Sequence, residues 1–266
     1  MSAGLTKEER LTDQSYWDAT WKRIGSEGEV DPNRFRRFLF ETPGARIFWK
    51  QILPRFLPTG SDKRLMHLGS APGRHLALFK TYFGYDVHGA DFSPTGLAAQ
   101  RDLLARIGLD ETHSILADVL SQDFRRAHAE AFDVVFSGGL IEHFPNPQIA
   151  VDAHLDILRR GGFLVISIPN LTGLYRRMMA PDVLAAHNLQ IMNLPCFRKT
   201  FEIPQLKRLY CGYLGGLNLG IAFGETTLFQ RMLPKAQIVV NLLARVVRIP
   251  ETPWNSPFLL YIGQKR

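Results

Sequence analysis

Just past an apolar run, Glu142 and His143 in "FSGGLIEHF" place a carboxylate beside an imidazole, the pairing that general acid–base chemistry uses most. An imidazole titrates near neutral pH and accepts a proton from a hydroxyl within hydrogen-bond reach, and an adjacent carboxylate can orient it. The competing reading is a histidine that caps the next loop and lines a pocket. Three further features fall at intervals upstream: the glycine turn "HLGSAPG" (His67 to Gly73), Asp91 in "GADFS" and Asp118 in "LADV". A glycine turn lets a ligand approach the backbone closely. Asp91 lies 22 residues after Gly69, where an acid accepts hydrogen bonds from ribose hydroxyls, and Asp118 is placed to receive an exocyclic amine, with Phe92 and Val119 flanking a base. Taken singly, each acid reads equally well as a loop residue capping a helix.

Elements must carry these residues to one place, and residues 62–169 alternate short β-branched runs with helical segments, as a parallel sheet covered by helices does. "RLMHLG", "YDVHGAD", "HSILADV", "FDVVFSGG" and "FLVISIPN" read as five strands, so the candidate residues all follow strand ends. Between them, "SPTGLAAQRDLLARIG" has Ser93 as N-cap, Pro94 in the first turn and Gly108 past the end. "NPQIAVDAHLDILRRGG" repeats that grammar with an Asn cap, a Pro start and a Gly-Gly stop. A helix is also expected over "TPGARIFWKQILPRFLP". Residues 171–215 break the rhythm with segments read as helical, "IPQLKRLYCGYLG" among them, and suit a substrate cap. "LNLGIAF" and "PFLLYIGQ" are candidate closing strands around one more apolar helix. Four parts result: a helical lid (1–60), a core (61–170), a cap (171–215) and a C-terminal return to the sheet (216–266).

Composition narrows the class. An apolar fraction of 45% with 21% charged residues is that of an ordinary globular protein, and no apolar run spans a bilayer. A cytoplasmic address is the simplest expectation. Cys196 and Cys211 have no partner at metal-ligand spacing. The net charge of +7 is spread along the chain in arginine pairs, so nucleic acid is not the expected partner. The stretch from Gln237 to Val247 is expected to pack in a core or subunit interface, with peripheral membrane contact as its alternative. Monomer and homodimer both remain open.

The glycine spacing discriminates between nucleotides. The dinucleotide pattern needs glycine at 69, 71 and 74, but the chain has Gly69, Ala71 and Arg74. A G-x-G-x-G pattern fits with Gly69 and Gly73 and a single Ala71 replacement, and that spacing belongs to binders of S-adenosylmethionine. Residues 62–170 resemble the class I S-adenosylmethionine-dependent methyltransferases. The run "GGLIEHFPNPQIAVDAHLDILRRGGFLVISIPN" looks like the branch containing the ubiquinone-biosynthesis O-methyltransferases.

The resemblance implies a Rossmann-like α/β fold with a seven-stranded, mostly parallel sheet, helices on both faces, an N-terminal helical lid and an inserted helical cap. It implies S-adenosylmethionine as cofactor and S-adenosylhomocysteine as product. Gly69, Ser70, Ala71 and Gly73 would face the methionine and ribose, Asp91 and Phe92 the ribose and adenine, Asp118 and Val119 the adenine, and Ser137 the centre of the cofactor. His143 would be the base and Glu142 its orienting partner, acting on a small-molecule hydroxyl. Relatives usually carry an acid where this chain has His67. Some carry a metal-binding Glu three positions before the Glu-His pair, where this chain has Gly139, so no metal is expected. His187 reads first as structural, and Tyr16, Trp17 and Trp21 resemble a lid. The alternatives are an RNA 2'-O-methyltransferase, which lacks its expected Asp after the fourth strand, and a non-catalytic partner that keeps the fold.

Overall fold

The computed structural model describes residues 9–24, 41–219 and 228–266, with backbone alone over 228–235. Its centre is one seven-stranded sheet in the order β3-β2-β1-β4-β5-β7-β6. The strands are β1 (Arg64–Leu68), β2 (Asp86–Asp91), β3 (Ser114–Leu116), β4 (Phe132–Gly138), β5 (Leu158–Pro169), β6 (Leu206–Leu214) and β7 (Phe258–Lys265). The pairs among β1 to β5 are parallel, and β7 runs antiparallel to both β5 and β6. The expected seven-stranded, mostly parallel architecture is therefore the one observed. The order reverses at β1, between β2 and β4, which opens a crevice at the carboxyl ends of these strands.

Apolar side chains fill both faces. Met66, Leu68, Val135 and Ile166 pack on one side, and Leu65, Val134, Phe136 and Val165 on the other. Near-continuous apolar strands such as "FDVVF" are needed where neither face meets water, and each such side chain contributes roughly 1.5–3 kcal/mol when fully buried. Helix punctuation follows the sequence at Ser93, whose hydroxyl accepts from the Gly96 N–H (3.0 Å), and at Thr42, which accepts from Ala45 (3.2 Å). Helix Pro43–Ile47 continues through a π turn, Phe48–Ile52, into Leu53–Phe56. Pro54 has no N–H to continue the regular ladder, and the turn widens just before it.

Three expectations are corrected. The helix Gln148–Ile157 does not run to the Gly-Gly pair: β5 already begins at Leu158, and its register against β4 jumps from the Phe132–Leu158 pair to Val134–Phe163. Gly161, at φ 76, sits in that irregularity rather than stopping a helix. "LKRLYCGYL", read as helical, is the strand β6, because β7 offers it a full ladder and pairing outweighs local propensity. The cap's helical part is thus Gly173–Arg176, Pro181–Ala185 and Leu194–Thr200, with a 3-10 turn at Leu189–Ile191. In "LNLGIAF", residues 217–219 are not strand, and the remainder lies outside the described residues.

The stretch from Gln237 to Val247 ends the helix Leu228–Leu243 and continues into the turns after it. Gln237, Asn241 and Ala244 face inward, with Gln237 donating to Asn241 (2.7 Å), while Val239, Leu242, Leu243, Val246 and Val247 are exposed. Exposure of these side chains is incompatible with core packing but not with the expected subunit interface. Among the described residues no helix is long and apolar enough to cross a membrane.

Candidate active site

At the end of β1 the chain turns sharply. Gly69, at φ 66, and Ser70 both direct their N–H groups to the Ala90 carbonyl (2.9 and 3.2 Å), tying the turn to β2. At Gly73, φ is 94 and an added Cβ would lie 2.9 Å from the Gln100 side chain, so glycine is required there. Ser70 points away from the crevice: its hydroxyl donates to Gln100 Oε1 (2.6 Å) in the buried layer between turn and helix. His67 is also turned from the crevice, with its ring 4.7 Å from Phe136 and 5.5 Å from His75.

Asp91 is 5% exposed and accepts from the Ala71 N–H on Oδ2 (3.1 Å) and the Ser93 N–H on Oδ1 (2.9 Å). Burial raises its carboxyl above the usual range, against the pull of these backbone donors. Beside it lies a cavity of about 490 Å³ lined by Arg10, Asp13, Gln14, Phe92, Pro94, Leu116, Ala117 and Asp118. Phe92 and Asp118 line this cavity as expected. Val119 packs instead into the core, and Ser137 is fully buried with its hydroxyl unpartnered.

The helix Gln14–Ile24 and the residues before it close over this side. Arg10 pairs with Asp118 (2.7 Å) and lies 5.5 Å from the Phe92 ring centre. Asp18 accepts from the Ser93 hydroxyl and the Thr95 N–H, and the Leu11 N–H donates to the His143 carbonyl (2.8 Å). Trp17 stacks on Trp21 and meets the His143 ring edge-on at 5.0 Å. Gly96 must be small, since an added Cβ would fall 2.5 Å from Trp21. Sequence reading recognised the aromatic lid but missed Arg10 and Asp18, whose partners lie 108 and 75 positions away with no local signal.

Glu142 and His143 form a short turn after β4, and His187 comes from the cap to meet them, its ring centre 4.5 Å from that of His143. Each imidazole donates Nδ1–H to a carbonyl, His143 to Ala186 (2.8 Å) and His187 to Val183 (2.5 Å), which leaves the Nε2 lone pairs free. Glu142 is wholly buried and neither carboxyl oxygen has a partner in another described residue. Burial pushes its carboxyl up to about 8 and holds the His143 imidazole down at about 3, so both are neutral at pH 7. One ligand atom from each of the three lies within 4.8 Å of the others. His187, read from the sequence as structural, thus comes from the cap to stand with the Glu-His pair.

The likenesses to known proteins bear on the fold and on the core residues. Residues 66–166 match the family model for a methyltransferase domain, so the sequence resemblance is borne out over the core. A ubiquinone biosynthesis O-methyltransferase from Thiobacillus denitrificans is 27% identical over 140 residues, 53% of this chain and 57% of that protein. The chain thus spans little more than half the length of this curated relative. A geranyl diphosphate C-methyltransferase from Streptomyces coelicolor, solved with Mg2+ and S-adenosyl-L-homocysteine, is 11% identical, with TM-score 0.57 over 84% of this chain and 76% of that one. The [4+2]-cyclase SpnF has TM-score 0.57 at 13% identity, covering 97% and 98%. These structures share the fold, and a fold leaves the reaction to the site.

Proposed function

We propose that the protein transfers a methyl group from S-adenosylmethionine to the hydroxyl of a small molecule held between the sheet's carboxyl end and the cap. The acceptor oxygen attacks the sulfonium methyl in line. A carbon–oxygen bond forms as the carbon–sulfur bond breaks, S-adenosylhomocysteine leaves, and the hydroxyl proton passes to the free Nε2 of His143. Alignment and exclusion of water supply most of the rate. The observation that carries this reading is the Glu142–His143–His187 group after β4, in which the buried Glu142 carboxyl has no partner in another residue and each imidazole keeps its Nε2 lone pair. These three side chains also suit a divalent ion, which when bound would polarise an acceptor oxygen.

For the cofactor, Gly69, Ala71, Gly73 and Asp91 would border the ribose and methionine, with Phe92 and Asp118 about the adenine. Ser70 and Val119 act behind that surface. The RNA reading has no observation in its favour. The test is calorimetric titration with S-adenosylmethionine, comparing the wild type with Asp91→Asn. Loss of a charged hydrogen-bonding partner should weaken binding roughly ten- to a hundredfold. Equal affinity for both proteins rejects the proposal.

A further inference from the structure

At the opposite, amino end of the sheet lies a second group of the same residue types. Asp86 and His88 are two apart on β2 and so project to one face. His113 closes the turn Glu111–His113 and enters β3 one residue before the Gly89–Ser114 pair, which sets it beside His88. The two rings are 5.1 Å apart. His88 Nε2 lies 3.0 Å from Asp86 Oδ2, and His113 Nδ1 lies 3.7 Å from Asp86 Oδ1. One ligand atom from each residue is within 4.8 Å of the others.

We propose that Asp86, His88 and His113 bind a divalent transition-metal ion of the zinc type. Two imidazoles and a carboxylate are the donor set of such ions, whereas calcium and magnesium prefer oxygen alone. The surroundings are already arranged for ligation. His113 donates Nδ1–H to the Val87 carbonyl (2.8 Å), which orients the ring and leaves Nε2, 4.0 Å from Asp110 Oδ1, as its ligating atom. Arg64, its guanidinium 4.9 Å from the Phe132 ring centre, lies 3.7 Å from Asp86 Oδ2, and a bound ion would share that carboxylate with it. The imidazoles are mostly covered, while Asp86 is 38% exposed, so water reaches the remaining coordination position. An ion here would staple the three-residue edge strand β3 to β2, and β3 leads directly to Asp118 in the crevice.

The experiment titrates metal-free protein with Zn2+ against a chromophoric chelator and records thermal melting with and without the ion. His88→Gln, His113→Gln and Asp86→Asn should each lose one bound equivalent per chain, or weaken it by at least about tenfold, and lose the zinc-dependent rise in melting temperature. His187→Gln separates this group from the one at the crevice and should retain the equivalent. The proposal fails if the wild type binds no zinc, or if the three variants bind as the wild type does. It also fails if His187→Gln alone removes all binding, or if Mg2+ stabilises the protein as much as Zn2+. Circular dichroism of the metal-free variants confirms folding, and any one folded variant suffices for the test.

Discussion

Both ends of the sheet carry one carboxylate and two imidazoles, in opposite environments. At the carboxyl end Glu142 is buried without a partner, and His143 and His187 have spent only their Nδ1 positions. At the amino end Asp86 is shared by His88, His113 and Arg64 in reach of water. Residue type does not set the chemistry; desolvation and unspent hydrogen bonds do. Desolvation keeps the Glu142 carboxyl protonated and the His143 imidazole unprotonated at pH 7. The wet group holds charge already balanced, suited to binding an ion.

The sharpest division between the two ends is turnover. His143→Gln removes the proton acceptor and should lower kcat by roughly 10²–10⁴-fold while calorimetric cofactor affinity stays the same. His88→Gln should leave kcat at the wild-type value. Comparable losses in both variants would erase the distinction between them.

Stability against pH should differ in sign. The Glu142 carboxyl is raised to about 8 from 4.5, so between those values the folded state keeps a proton that the unfolded state has lost, and stability falls as pH rises. Glu142→Gln removes that slope, and the wild type should lose about 1.4 kcal/mol per pH unit relative to the variant across the window. His143, depressed from 6.5 to about 3, acts oppositely: its contribution is complete above the unfolded value and is lost as pH falls through the folded one. Asp86 is lowered despite its burial, chiefly by the His88 hydrogen bond, so Asp86→Asn should lose stability at neutral pH and converge on the wild type in acid. Urea denaturation across the pH range measures both signs. Parallel curves for Glu142→Gln and wild type would show that the carboxylate has a partner after all.

How much of this was legible beforehand depended on whether a residue's partners were local. Ser93 and Thr42 act within a turn of their own position, and the sequence shows them plainly. The parallel core was readable because strands buried on both faces must be apolar throughout. β6 was not, because "LKRLYCGYL" becomes a strand only when β7 pairs with it. At the site, the glycine turn and the two acids follow from spacing, but which way Ser70 points depends on Gln100, thirty positions on. His187 joins the Glu-His pair only because the cap folds back to place the Asn188 N–H on the Glu142 carbonyl (2.6 Å).

The smallest effect concerns the lid. Arg10 holds the Asp118 carboxylate, the group expected to receive the adenine amine, so cofactor and lid compete for one acceptor. The pair is partly exposed and is worth about 0–1 kcal/mol, which limits the gain on its removal to about fivefold. Arg10→Ala should therefore tighten S-adenosylmethionine binding by no more than that factor, and the gain should shrink with added salt as screening loosens the wild-type pair. If affinity falls instead, Arg10 clamps the bound cofactor rather than competing with it. The carboxyl end would then need its lid for binding as well as for dryness, a dependence the amino-end group does not share.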